Sequence, residues 1–138
     1  MITTVEKALF LAGVPLFAGL PGEELAEIAL IADEVRGEPG EDLVREGDPG
    51  DALFVVVEGE LAVLRGGREV SRLGPREVFG EMALLDPGPR SATVRAAGEV
   101  RLLRIQREDF TEALAERREI ALGVIRVLVQ RLRQPAQR

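Results

Sequence analysis

The residues best suited to hold a small ligand lie in one stretch, FGEMALLDPGPRSATV, which covers residues 79–94. Gly80 allows a ligand to approach the backbone closely. Glu81 to Leu85 can form one short helical turn, whose unpaired N–H groups and dipole favour an anion. After the Pro-Gly-Pro break, the planar guanidinium of Arg90 can bind phosphate oxygens from the other side, and Ser91 can add a further donor. The stretch therefore predicts an anion-binding loop.

Glu81 does not suit a site for an anion alone, because its carboxylate would repel a bound phosphate. A carboxylate is, however, a strong acceptor for a neutral hydroxyl pair such as that of a ribose. Phosphate and sugar side by side indicate a nucleotide-like ligand. The ordinary alternatives are a surface ion pair for Arg90 and a favourable acid at a helix start for Glu81. The Pro-Gly-Pro break directly before Arg90 has no evident role in a core and favours the phosphate interpretation.

The composition argues against most catalytic sites. The 138 residues include no histidine and no cysteine, so zinc sites and Ser-His-Asp machinery lack the imidazole or thiolate that they require. We therefore expect that the protein is not an enzyme and that it binds no metal and no cofactor. Adjacent acids such as Glu108 and Asp109 could in principle catalyse hydrolysis, but they are weak evidence for an enzyme. The net charge of −6 disfavours nucleic acid. The longest apolar run, Ala8 to Leu20, is too short for a membrane span, and the lack of cysteine fits a cytoplasmic location.

Helices are predicted at both ends of the chain. Within residues 5–33, Pro21 and the acids after it favour a helix start, and the apolar face of that helix comprises Leu25, Ile28, Ala29 and Ala32. Residues 107–134 return to helical spacing. Between Ile120 and Leu132 this segment is apolar around most of its circumference, so we expect a second copy or a neighbouring domain to cover one side.

The middle of the chain, residues 35–106, reads as short strands separated by turns. Eleven of the fifteen glycines fall between Gly37 and Gly98, which divides this region at the spacing of an antiparallel sandwich or barrel. The sequence RGGREV is the clearest hairpin, because Gly66 and Gly67 can supply the positive φ angles of a tight turn. An antiparallel β-roll is the simplest fold that satisfies these signals.

The stretch 79–94 resembles the phosphate-binding cassette of the cyclic nucleotide-binding domain family, which includes protein kinase A regulatory subunits and catabolite activator-type proteins. The shared pattern is Phe-Gly-Glu, a small apolar turn, a variable break, and then Arg-Ser-Ala-Thr-Val. The segment REGDPGDALFVVVEGELAV, from Arg45 to Val63, is similar to the paired strands of the family, with Gly59 at a turn. With the flanking helices, the likeness covers nearly the whole chain.

The resemblance implies a single domain over residues 1–138, mainly β with flanking helices. Its centre is an antiparallel β-roll (double-stranded β-helix or jelly roll) with a short helix in the cassette. The C-terminal helix is expected to act as a lid or dimer contact. The implied function is that of a non-catalytic sensor whose C-terminal helix moves when a cyclic nucleotide binds.

The resemblance also assigns the ligand contacts. Glu81 would accept from the ribose 2′-hydroxyl, Arg90 would pair with the cyclic phosphate, and Val63 would pack on the base. Backbone N–H groups lining the same pocket would be those of Gly80, Met82, Ala83 and Ser91. Because Ser91 is like the small residue of cAMP-binding relatives, cAMP is expected before cGMP.

Three departures from the family pattern affect these expectations. DNA-binding relatives carry a helix-turn-helix beyond the C-terminal helix, whereas this chain stops at Arg138. We therefore do not expect this chain to act as a transcription factor. The positions whose residues contact the adenine in those DNA-binding relatives are occupied here by Pro135 and Ala136. No aromatic residue follows Phe110, which makes Arg131 or Leu132 the candidate cap for the base.

An interaction domain that kept the roll and lost the ligand is the alternative left open. Expected partners are a cyclic nucleotide, together with a second copy of the chain through the C-terminal helix or an effector domain. Neither nucleic acid nor membrane insertion is expected.

Overall fold

The computed structural model describes residues 1–134, and its N-terminal part is helical. Helix α1 spans Thr4–Leu11, a 3-10 helix spans Pro15–Phe17, and helix α2 spans Gly22–Leu30. The predicted helix start at Pro21 is confirmed, because Pro21 is the N-cap of α2. The prediction for Ala32 is wrong: α2 ends before it, and Ala32 is the first, buried residue of a strand.

Ten short strands follow within the described residues. They are β1 Ala32–Gly37, β2 Asp42–Val44, β3 Pro49–Gly50, β4 Ala52–Glu58, β5 Leu61–Arg65, β6 Arg68–Leu73, β7 Val78–Phe79, β8 Gly88–Pro89, β9 Thr93–Ala96 and β10 Val100–Gln106. All pairings are antiparallel, in two four-stranded sheets ordered β1-β10-β4-β7 and β2-β9-β5-β6 and one ribbon of β3 with β8. The predicted antiparallel β-roll is confirmed, and it starts at residue 32 rather than 35.

Two apolar clusters hold the roll and the helices together. Alternate residues of β4 and β10 point to opposite faces of their sheet. One set packs between the two sheets, as with Val56, Leu102 and Val94. The other set faces the helices, where Leu53 and Leu103 join a cluster that includes Phe17, Ile28, Phe110 and Ile120. The space between the two sheets therefore contains the smaller apolar cluster and a cavity beside the cassette.

Two tight connections shape the roll near that cavity. The predicted hairpin is confirmed: Gly66 and Gly67 join β5 to β6 with φ angles of 58° and 81°. In the small ribbon, Gly50 lies opposite Gly88, and the amide of Arg90 donates to the carbonyl of Asp48 at 2.8 Å. The backbone of Arg90 is thus fixed by a segment that lies about forty residues earlier in the chain.

The C-terminal part consists of helix α3, Arg107–Glu116, and helix α4, Arg118–Arg133. Helix α4 buries one side, including Ile120 and Val124, and leaves apolar side chains exposed on the other: Leu122, Ile125, Val129 and Leu132. This is the uncovered apolar side that the sequence predicts. No helix within residues 1–134 has the length and hydropathy needed to cross a bilayer.

Arg117 separates the two C-terminal helices and anchors them to α2. Its backbone is extended, with φ −124° and ψ 94°. Its Nη2 donates to Oε1 of Glu24 at 3.2 Å, and its Nη1 lies 3.5 Å from Oε1 of Glu27. Glu24 is only 4% exposed, so its charge depends on this partner.

We therefore expect Arg117→Ala to lower the free energy of unfolding by about 1–3 kcal/mol, because it leaves the Glu24 carboxylate buried without its partner. Chemical denaturation followed by circular dichroism measures the change. Arg118→Ala is the matched control, since Arg118 is exposed and forms no ion pair within residues 1–134. Equal stabilities for the two variants would contradict this role of Arg117.

Candidate functional site

The cassette residues line one open cavity of about 460 Å³ at the mouth of the roll. Its polar end is formed by the cassette, and its apolar side by inward-facing residues of the second sheet, such as Val94 and Leu73. The structure brings together all but one of the predicted site residues here: Val63, Gly80, Glu81, Met82, Ala83, Arg90 and Ser91. Met82 is 60% exposed.

Arg90 is the main cationic group at the inner end of the cavity. Its guanidinium is half-buried, and its Nη2 donates to the carbonyl oxygen of Ala52 at 3.2 Å. Within residues 1–134 the guanidinium has no other hydrogen bond and no ion pair. A guanidinium carries several N–H donors in a fixed fork, so most of its donors remain available to a ligand.

Burial lowers the pKa of Arg90, and the nearby Asp51 carboxylate opposes this shift only in part. The guanidinium still stays protonated, because an arginine does not lose its proton in proteins. A partly desolvated charge that is not held in an ion pair is unfavourable. An anion bound in the cavity would compensate that charge.

Two glycines and two aromatic rings fix the position of the Arg90 side chain. A Cβ atom on Gly50 would overlap Nε and lie 2.5 Å from Cζ of Arg90. Gly80 has φ 78°, and a Cβ there would overlap the Ala52 carbonyl oxygen and lie 2.5 Å from Nη1. Cζ of Arg90 lies 5.9 Å from the ring centroid of Phe54, whose ring stacks on Phe79 with centroids 4.7 Å apart.

The predicted short helical turn is confirmed as a 3-10 helix, Met82–Leu84. Its geometry changes one expectation, because the amide of Ala83 donates to the carbonyl of Gly80 at 3.1 Å and is not available to a ligand. The amides of Gly80, Met82 and Ser91 donate to no acceptor within residues 1–134. These three remain the candidate backbone donors.

Glu81 is held by the C-terminal helix. Its Oε1 accepts from Nη2 of Arg131 at 2.6 Å, and its side chain is 15% exposed. Arg131 therefore contacts the carboxylate that is predicted to bind the sugar. It is not among the residues that line the cavity, so it does not occupy the base-capping position expected from the sequence. Leu132 is 86% exposed and does not cover the cavity. Pro135 and Ala136 lie outside the described residues.

Sequence reasoning missed the groups that hold Arg90 in place. Gly50 belongs to an Asp-Pro-Gly motif that reads as an ordinary turn. Phe54 lies in an apolar strand and carries no signal of a contact with an arginine. The contact arises from the pairing of Pro49-Gly50 with Gly88-Pro89, which brings the turn to the residue just before Arg90 and has no signal in the sequence.

The structure defines a class of protein: a β-roll with a cavity lined by an inner arginine, backbone amides that are unpaired within residues 1–134 and a carboxylate. Comparison with known proteins narrows this class. The family model described as "Cyclic nucleotide-binding domain" matches residues 34–117. The chain belongs to the cyclic nucleotide-binding domain family.

Regulatory proteins are among the similar sequences. The chain is 33% identical over 129 residues to a CRP-like cAMP-activated global transcriptional regulator of Mycobacterium tuberculosis, covering 90% of this chain and 58% of the regulator. It is 40% identical over 107 residues to a cAMP-dependent protein kinase regulatory subunit of Emericella nidulans, covering 76% of this chain and 26% of the subunit. The chain thus spans little more than half of the first relative and a quarter of the second.

A solved structure shares the fold over most of its length. It is the N-terminal domain of a transcriptional regulator from Streptomyces coelicolor A3(2), with a TM-score of 0.84 and 42% sequence identity. The alignment covers 90% of each chain.

Proposed function

We propose that this chain is a non-catalytic regulatory module that binds a cyclic nucleotide, cAMP in preference to cGMP. The observation that carries the proposal is the half-buried guanidinium of Arg90, which lines the cavity with a single hydrogen bond to the protein and no ion pair within residues 1–134. The preference for cAMP is supported by Ser91 and by the names of the two relatives. A cytoplasmic location fits such a module.

In this proposal, the phosphate, ribose and base of the ligand would lie along the cavity in the order in which they are joined. The cyclic phosphate would bind the Arg90 fork and the amides of Gly80 and Ser91. The ribose 2′-hydroxyl would donate to Glu81, and the base would lie on the apolar side formed by Val63 and its neighbours. The phosphate of a cyclic nucleotide carries one negative charge, which the Arg90 guanidinium balances.

Wild-type protein provides the first test. Thermal denaturation should show a higher midpoint with cAMP than with cGMP and no shift with linear 5′-AMP, because a ligand that binds only the folded state stabilises it. Calorimetric titration then gives the Kd. Absence of binding by both cyclic nucleotides would contradict the proposal.

Helix α4 is suited to report occupancy of the cavity. Arg131, near the end of α4, holds the same Glu81 carboxylate that the ribose would use. We propose that the ribose replaces Arg131 at Glu81, which releases the end of α4. A ligand shifts such an equilibrium only by its differential affinity for the two arrangements, and the exchange at Glu81 supplies that difference.

Removing the competing guanidinium should therefore tighten ligand binding. Arg131→Ala is expected to lower the Kd for cAMP about three- to tenfold, the range of one modest hydrogen bond that no longer has to be broken. Arg133→Ala is the control, because Arg133 is exposed and has no ion pair within residues 1–134. A weaker affinity in Arg131→Ala would show instead that Arg131 helps to hold the nucleotide.

Assembly through α4 is the second candidate function, favoured by the exposed apolar side chains Leu122, Ile125 and Val129. A homodimer or an effector domain would bury them. Analytical ultracentrifugation with and without cAMP separates the two functions. A dimer whose stability does not respond to cAMP, in a protein that fails to bind it, would favour an assembly domain.

A further inference from the structure

Arg65 is a second arginine at the nucleotide cavity, outside the cassette. It is the last residue of β5 and lines the cavity together with Val63 of the same strand. Arg65 is exposed and forms no hydrogen bond or ion pair through its side chain with any residue of 1–134. An exposed guanidinium that lines the cavity is thus available to a ligand.

The strand register places Arg65 beside the cassette. Val63 lies opposite Val94 and Leu64 opposite Thr93. Continuing the antiparallel ladder by one residue puts Arg65 opposite Ala92, the neighbour of Ser91. Because side chains alternate along a strand, Arg65 shares the inner face with Val63, and the small Ala92 leaves room in front of it.

Arg65 has a like charge opposite it and is not held by the acid near its strand end. The exposed Glu46 accepts from the amide of the neighbouring Gly66 at 2.9 Å and forms no ion pair with Arg65 within the described part of the chain. The partner of Arg65 in the hairpin is Arg68, so two guanidiniums are paired across the strands, and neither has an ion pair within residues 1–134. Like charges directly opposite each other are destabilising. Of the two acids that line the cavity, Glu81 is already bonded to Arg131, and Asp86 is exposed.

We propose that Arg65 is a second phosphate-binding residue, which contacts an outer oxygen of the cyclic phosphate from the strand side while Arg90 binds it from within. This assignment rests on the proposed cyclic nucleotide function. Because the register places Arg65 opposite Ala92, the neighbour of Ser91, we assign it to the phosphate at the cassette and not to the base. It therefore strengthens binding of cAMP and cGMP equally.

The test is calorimetric titration of Arg65→Ala with both cyclic nucleotides, at low and at high salt. The Kd for each should rise about 5- to 20-fold, as expected for the loss of one hydrogen bond to a charged group near the surface. The affinity of the variant should also depend less on salt, because one exposed charge no longer contributes. The Kd of Arg65→Lys should lie between those of Arg65→Ala and wild type, since lysine keeps the charge and loses the planar fork.

Arg68→Ala is the matched control. It removes the other guanidinium of the same pair, yet Arg68 does not line the cavity, so its Kd should stay within about twofold of wild type. An unchanged Kd in Arg65→Ala would overturn the assignment, and so would a loss confined to one of the two nucleotides, which would indicate a base contact. If wild-type protein binds neither nucleotide, the proposed function itself has failed.

Discussion

Replacing Arg90 with leucine is expected to raise the Kd for cAMP by at least about 100-fold, because it removes the charged fork opposite a phosphate in a partly desolvated site. Leucine keeps an apolar side chain at this position but is too short to reach the place of the guanidinium. The apo protein should keep its thermal midpoint or gain slightly, since the lost guanidinium has only one hydrogen bond to the protein. Calorimetry and thermal denaturation of the same sample give both quantities.

Two further variants define what Arg90 contributes. Arg90→Lys keeps the charge and loses the planar fork, so its affinity should lie between wild type and Arg90→Leu. Arg95→Leu is the control on the neighbouring strand, where Arg95 pairs with Asp42 at 2.7 Å and does not line the cavity. If Arg90→Leu bound cAMP within about threefold of wild type, Arg90 would have no role in phosphate binding.

The second large effect is steric. Adding one methyl group as Gly50→Ala should raise the Kd for cAMP by about 30-fold or more, because the new Cβ occupies the place of the Arg90 guanidinium and displaces it from the phosphate position. The φ angle of Gly50 lies outside the positive region, so alanine causes no backbone strain there. The fold should therefore survive, with a fall in the midpoint far smaller than the loss of affinity.

Gly98→Ala is the control for this experiment. It adds the same methyl group at a position where nothing lies within 4 Å of the new atom, and Gly98 does not line the cavity. Its affinity for cAMP should equal that of wild type. Unaltered binding by Gly50→Ala would mean that the observed position of the Arg90 side chain is not the one used for binding.

The core of the candidate site was predictable because it is local in sequence. Gly80, Glu81 and Arg90 lie within eleven consecutive residues, so the spacing alone places them around one short turn. The β-roll was predictable for a similar reason, since its glycines mark most of the turns. Local spacing gave a wrong prediction for Ala32, because a small apolar residue fits equally well on a helix face and at the start of a buried strand.

Contacts between distant segments were not predictable in the same way. Arg131 and Leu132 were the candidate caps for the base, but Arg131 donates to Glu81, fifty residues earlier. The role of Gly50 follows from the pairing of β3 with β8, and that of Arg65 from the register of β5 with β9. Such contacts depend on how strands and helices are arranged in space, which hydrophobic spacing within one segment does not specify.

The most direct test is a crystal structure of the wild-type protein with cAMP. We expect the cyclic phosphate within about 3 Å of the Arg90 guanidinium, the distance of a charge-assisted hydrogen bond, and the ribose hydroxyl at Glu81. A nucleotide bound elsewhere, or one whose phosphate faces solvent while Arg90 keeps only its contact with Ala52, would contradict this expectation.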